Sequence, residues 1–331
     1  MQPHLARSSV RVAMRVAMLA PCRRAAYTRL NGTPDASHSA PNSGPRASHR
    51  WRPLARVNAR QVTDGMDFGL SGKTALVTGA SRGIGLAVTR ALLGEGVSVV
   101  MVARNANRLN RAANELRAAR DGGASVAVHP VAGDMGILGD VTRIAQTAMA
   151  RLGHIDILVN NAASSHAGPF FDLSDDHLVD AWQVKALGCM RLIRAVAPDM
   201  MSRRSGAIVN VVGGTARTPA LDFIPGSMVN AALINFTRGI SHELARHNVR
   251  INAISPGITK TEWLQARFER EAQARKTSPD EVEREYARTI PLDRLVTMEQ
   301  IATLTLLLAS DHLPAMTGED VVIDGGATPS V

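Results

Sequence analysis

The run Thr78-Gly79-Ala80-Ser81-Arg82-Gly83-Ile84-Gly85 follows the apolar segment Thr74–Val77 and opens a helix-like stretch. A strand ending in this glycine spacing lets the backbone close on a pyrophosphate, and the amino end of the next helix then faces the phosphate charge. The chemistry implied is dinucleotide binding, although one such loop is weak evidence by itself. A second set of residues sharpens it. The next apolar run ends in Met101-Val102-Ala103-Arg104-Asn105, with no acid. A carboxylate at that point bonds the adenosine ribose hydroxyls of NAD, whereas an arginine there takes the ribose phosphate of NADP. Arg104 and Arg82 both offer guanidinium forks suited to a phosphate. Either alone would pass for a solvated surface arginine. Two at the two relevant positions, with the acid absent, make NADP(H) the expected cofactor in preference to NAD.

Positioning these groups takes a sheet. Residues 66–331 alternate apolar strand-like runs with amphipathic helical ones, which predicts an α/β fold: a single Rossmann-type, doubly wound parallel sheet with helices on both faces. Strands are expected at Thr74–Val77, Val97–Val102, Ser125–Val131, Ile155–Val159, Ala207–Val212, Arg250–Ile254 and Val321–Ile323. Helices are expected at Ile84–Leu93, Ala106–Arg120, Val141–Leu152, Asp176–Met201, Met228–Arg246 and Met298–Ala309. The charged, helical segment Glu262–Arg288 follows Pro256-Gly257 and reads as an insertion above the sheet's carboxyl edge, where a substrate lid sits.

Further landmarks follow in order. They are Gly133-Asp134-Met135, Asn160-Asn161-Ala162-Ala163, Ser255-Pro256-Gly257-Ile258-Thr259-Lys260-Thr261, Ile290-Pro291-Leu292-Asp293-Arg294-Leu295, and Thr317-Gly318 with Val321–Gly326. With the glycine loop they resemble the motif set of the short-chain dehydrogenase/reductase family over Leu70–Ala327, Ala163 standing where the family has glycine. The resemblance implies one domain and an NAD(P)-dependent oxidoreductase acting on a small-molecule substrate. It places Gly79, Ser81, Arg82, Gly83, Ile84 and Gly85 at the cofactor phosphates, with Arg104 and Asn105 at the ribose. Asp134 and Met135 fall beside the adenine. Asn161, Ala162, Ala163 and Asn230 complete the cofactor wall, and Pro256, Gly257, Ile258 and Thr261 belong to a loop over the nicotinamide.

The residues that do this family's chemistry are missing. The family uses a tyrosine as proton donor or acceptor, a lysine four residues later to lower its pKa, a serine to orient the carbonyl, and an asparagine to hold a relay water. Aligned on Ala231-Ala232-Leu233, the lysine's place holds Asn230 and the tyrosine's place Gly226. Aligned on Ile208-Val209-Asn210-Val211-Val212, the serine's place holds Gly213; aligned on Gly188, the asparagine's place holds Lys185. The only tyrosines are Tyr27 and Tyr286, so no shifted tyrosine lies near residue 226. Asparagine and lysine thus stand exchanged. An ammonium group would still enter the pocket, from the opposite wall, and burial would lower its pKa toward the range useful for acid–base work. Lys185 and Asn230 are accordingly the candidate catalytic pair, against the plainer reading of a lysine snorkelling to solvent. His166, Arg217, Asp222 and Tyr286 are weaker candidates, and Trp182 and Trp263 read as core and lid packing.

Composition narrows the class. The chain has 38 basic and 29 acidic residues, but residues 1–65 hold eleven arginines against Asp35 and Asp64, which leaves 27 of each sign in residues 66–331. A neutral body gives no footprint for nucleic acid. Residues 1–65 form a basic leader, expected to be disordered and excluded from the fold; it fits an organellar transit peptide or an upstream start codon with Met66 as the working start. We take the second, with a cytoplasmic location. Val10–Ala20, broken by Arg11 and Arg15, is too short and too charged to span a bilayer, so no membrane partner is expected. Cys22 and Cys189 cannot make a disulfide framework or a metal site. A homodimer or homotetramer is expected, through helices Asp176–Met201 and Met228–Arg246.

The leading expectation is an NADP(H)-dependent oxidoreductase with a rebuilt site, moving a hydride to or from a small carbonyl, alcohol or activated carbon–carbon double bond. Two others stay open: a nonredox enzyme on the same fold, and a catalytically silent NADP(H)-binding sensor or scaffold.

Overall fold

A computed structural model of the chain describes residues 66–119, 126–164 and 166–328. The basic leader lies outside the described residues, as do Arg120 and Ser125 at the ends of two expected elements. Seven parallel strands form the main sheet in the order β3-β2-β1-β4-β5-β6-β9. They are β1 (Thr74–Thr78), β2 (Ser98–Ala103), β3 (Val128–Ala132), β4 (Ile157–Asn160), β5 (Gly206–Val211), β6 (Val249–Pro256) and β9 (Asp320–Ile323). The central strands are buried from end to end, as in Thr74–Thr78 and Ile157–Asn160, because helices cover both faces. That explains why they read as unbroken apolar runs and not as alternating ones.

The chain winds outward from β1 through β2 to β3, then returns to place β4 on the other side of β1. Ala75 pairs with Val99 on one side and with Ile157 on the other. At such a reversal the loops leaving the carboxyl ends of β1 and β4 diverge and open a crevice. One face carries α3 (Leu138–Leu152), α5 (Gly188–Arg203) and α6 (Ile224–Ala245), packed through residues such as Ile144, Leu192 and Leu233. The other carries α1 (Gly83–Gly94), α2 (Ala106–Ala118) and α9 (Met298–Ala309), through Leu92, Leu109 and Leu306.

Three features differ from the sequence expectation. The helix expected over Asp176–Met201 is α4 (Asp175–Ala181), a π-helical turn at Trp182–Leu187, and then α5. Two-residue strands β7 (Thr259–Lys260) and β8 (Val296–Thr297) pair in a second small sheet. Between them lies the insertion, resolved into α7 (Glu262–Arg275) and α8 (Pro279–Arg288). It has its own apolar cluster around Phe268, Leu264, Val282 and Ile290. Thr261 and Ser278 cap the two helices by accepting from Leu264 N and Glu281 N.

Candidate active site

The carboxyl ends of β1 and β4 are laced together before any ligand is considered. Thr78 Oγ1 accepts from the backbone N–H groups of Asn161 and Ala162 at 3.0 and 3.1 Å, and Asn161 Nδ2 donates to the Thr78 carbonyl at 3.0 Å. Gly79 sits at φ 67°, and a Cβ there would meet Asn161 Nδ2 at 2.7 Å. Gly85, in the first turn of α1, faces the carbonyl of Gly79 so closely that no side chain fits. The two glycines bring the helix start onto the strand end, which leaves the N-terminal N–H groups of α1 open to an anion.

From this cradle runs a groove of about 550 Å³. Gly79, Ser81, Arg82 and Gly83 line its start, and Arg104 and Asn105 its outer end. Met135, Asn161, Ala162, Ala163 and Thr261 complete the expected residues in its wall. Ile84 is turned into the core. Asp134 stands at the rim, where its carboxylate faces Arg104 at 3.9 Å and accepts from Gly136 N. Pro256, Gly257 and Ile258 lie outside the groove wall. Gly257 packs on Asp324, and Ile258 on the apolar cluster of the insertion. Arg108 and Val184 line the groove without having been singled out in the sequence, and Trp263, read there as lid packing, also lines it. Arg108 was findable, since it lies in the first turn of the helix that starts just after Arg104 and Asn105. Asn105 prepares that turn by accepting from Arg108 N at 2.9 Å, as the cap of α2.

Behind the groove, a small cavity shares Met135, Ala162 and Val184 with it and adds Lys185 and Cys189. The π-helical turn carries Lys185. One extra residue per turn rotates the helix, and such turns are frequent at functional sites. The Lys185 amine donates to the Val212 carbonyl and to Asn230 Oδ1, both at 2.6 Å. Burial of the ammonium lowers its pKa to about 8, only partly opposed by the Cys189 sulfur. Cys189 itself is a buried thiol pushed up to about 12 by desolvation, and is therefore unreactive. Asn230 Nδ2 in turn donates to Thr215 Oγ1 at 2.9 Å.

The space beside Gly213 and Gly226, expected to stand for the family's serine and tyrosine, is taken by neighbours. Gly213 has φ 147°, and a Cβ there would approach Asn230 Nδ2 to 2.7 Å, so the amide occupies the serine's space. At Gly226 a Cβ would fall on the ring edge of Phe223, so an aromatic ring occupies the tyrosine's space. Lys185 and Asn230, expected on facing walls, are thus directly bonded across the site.

The weaker candidates are accounted for elsewhere. His166 Nε2 meets Asp180 Oδ2 at 2.6 Å, and its ring stacks on His177. Arg217 pairs with buried Asp320 at 3.0 Å, tying the loop after β5 to β9. Asp222 faces Arg267 of α7 at 3.8 Å. Tyr286 donates to Glu271 and packs on Phe268 inside the insertion. Trp182 is not a core residue: it is 39% exposed. Among the described residues no cluster of His, Cys, Asp or Glu is arranged to hold a metal ion.

Sheet order, glycine cradle and groove define a doubly wound nucleotide-binding protein. The comparisons narrow the class. The family model for enoyl-(acyl carrier protein) reductase matches residues 79–328. The NADPH-dependent reductase BacG of Bacillus subtilis (strain 168) is 30% identical over 262 residues, covering 79% of this chain and all of BacG. The 2,3-dihydro-2,3-dihydroxybenzoate dehydrogenase of the same organism is 33% identical over 263 residues, covering 80% of this chain and 98% of the enzyme. The crystal structure of L-sorbose reductase from Gluconobacter frateurii, complexed with NADPH and L-sorbose, superposes with a TM-score of 0.77 at 28% identity, over 80% of this chain and all of that one. The chain belongs to the short-chain dehydrogenase/reductase family.

Proposed function

We propose that the protein is an NADPH-dependent reductase of small carbonyl compounds or activated carbon–carbon double bonds, with Lys185 as its proton donor. Similar proteins named as NADPH-dependent or solved with NADPH support the cofactor. So does the groove: no carboxylate follows β2, and Arg82, Arg104 and Arg108 all line its wall. Three guanidinium groups suit a ribose phosphate and would leave NAD(H) with unanswered positive charge. The cradle of Gly79, Gly83 and Gly85 fits a pyrophosphate.

Bound NADPH supplies a hydride. The proton that completes a reduction comes from a protein group or a bound water, and the ring of Phe223 that crowds Gly226 has none to give. The single observation that carries the proposal is the Lys185 amine, held on two acceptors at 2.6 Å with a pKa of about 8. At neutral pH it is protonated, yet it gives up its proton far more easily than an exposed lysine. Its third N–H has no acceptor among the described residues and is the one that leaves, to be restored from water. Asn230 holds the amine in place through Oδ1.

NADPH absorbance in the presence of a panel of ketones, quinones and enones tests the reading. Consumption of NADPH with matching loss of substrate supports it. A second reading, an NADP(H)-binding sensor, draws on Phe223 filling the place of the acid; tight NADPH binding with no consumption across the panel would put it first. We further read the protein as a homodimer or homotetramer acting in the cytoplasm. Among the described residues no helix is long and apolar enough to cross a membrane.

A further inference from the structure

The geometry points to Thr215 as the hydroxyl that takes the substrate oxygen, two residues beyond the place where the family's serine stands. The inference rests on the reductase reading and deepens it.

The serine's space is closed. At Gly213 any Cβ would press on the Asn230 amide, so a hydroxyl cannot come from that position while Asn230 holds Lys185. The amide passes the role onward. Asn230 Nδ2 donates to Thr215 Oγ1 at 2.9 Å. A threonine hydroxyl has one hydrogen and two lone pairs. With its oxygen accepting from Asn230, the Thr215 hydrogen remains to be donated, and no acceptor for it exists among the described residues.

Placement agrees. Thr215 lies in the 3-10 turn Gly214–Ala216, directly past the carboxyl end of β5, and is half-buried. Its neighbour Gly214 packs against the Pro256 carbonyl, so the turn is wedged beside the loop after β6. Arg217, on the far side of the turn, is fixed to Asp320 at 3.0 Å. The hydroxyl is therefore held on a braced turn just past the carboxyl end of β5, beside Asn230.

Direction is the strongest argument. The Lys185 ammonium donates to the Asn230 carbonyl oxygen, the Asn230 N–H donates to Thr215, and the Thr215 O–H is left to donate to a ligand. Every bond in the chain points the same way. Each donor polarises the next, and a hydroxyl oxygen that accepts a hydrogen bond becomes a better donor itself. A positive charge at one end thus strengthens the O–H at the other, where a carbonyl oxygen gains negative charge during reduction. The Thr215 hydroxyl keeps its proton throughout; it orients and polarises the oxygen, while Lys185 supplies the proton that is transferred.

The experiment compares the full-length parent with Thr215→Val and Thr215→Ser, using 2-cyclohexen-1-one and 9,10-phenanthrenequinone as probes with NADPH. Thr215→Val matches threonine in shape but lacks the hydroxyl. It is expected to lower kcat/KM by about tenfold to a hundredfold. NADPH affinity by fluorescence titration and the melting temperature should stay near those of the parent. Thr215→Ser should recover activity to within about threefold of the parent. The inference is overturned if Thr215→Val reduces the probes as fast as the parent, or if it weakens NADPH binding as much as it weakens turnover. Parent enzyme that binds NADPH but reduces neither these probes nor the wider panel overturns the reductase reading, and this inference with it.

Discussion

At Gly213 and Gly226 the loss of a side chain admits a neighbour, Asn230's amide in one case and Phe223's ring in the other. Gly213, Asn230 and Lys185 are therefore coupled through contact and hydrogen bond, and Gly226 is coupled to Phe223. Such coupling is why restoring one residue should fail. Gly226→Tyr is expected to overpack against Phe223, cost about 1–3 kcal/mol of stability and bring no activity of its own. Thermal melting checks this, and adding Phe223→Ala should recover most of the loss by making room for the new ring. The arginines stand apart from that network. Arg104 is 57% exposed and only loosely paired with Asp134 at 3.9 Å, so it is free to turn to a ribose phosphate. Arg104→Ala should weaken NADPH binding by about 1.5–3 kcal/mol, roughly tenfold to a hundredfold, with little effect on NADH. Fluorescence titration of both cofactors decides it.

Elements were legible where a long apolar pattern dictated them. The runs that became β1, β2 and β4 are buried on both faces, so their composition alone marks them. The π-helical turn at Trp182–Leu187 was not legible, since its residues keep the amphipathic pattern of an ordinary helix. Nor were β7 and β8, too short at two residues each to carry a period. The site divides the same way. The glycine cradle could be read because the backbone geometry requires glycine there. The filling of two vacated positions by Asn230 and Phe223 depends on packing between the loop after β5 and helix α6, which no local pattern records. The insertion was legible as helical and charged, and its small apolar cluster around Phe268 shows why it holds a shape of its own.

For the molecule as a whole, the basic charge belongs to residues 1–65, and the body from Met66 is neutral. A protein spanning residues 66–331 should fold and bind NADPH with the affinity of the full chain. Insolubility or lost binding in that truncation would show the leader to be part of the fold. Val179, Trp182 and Met228 expose apolar surface on α4, the π-helical turn and α6. These elements lie together on one side of the sheet, and closed symmetry is the habit of soluble oligomers. Light scattering at micromolar concentration should accordingly give a dimer or tetramer, and a monomer would remove that expectation.

In our reading the Lys185 ammonium supplies the proton that a tyrosine would supply in the family pattern. The most direct measurement is the pH dependence of kcat for NADPH-driven reduction, in the parent and in Lys185→Met, under saturating cofactor. Reduction consumes the protonated amine, so parent activity should hold on the acid side and fall as pH rises through the Lys185 pKa of about 8. Lys185→Met, close in bulk and without a proton to give, should lose turnover across the range while still binding NADPH. Full activity in Lys185→Met, or a parent profile with no step near pH 8, would contradict the account.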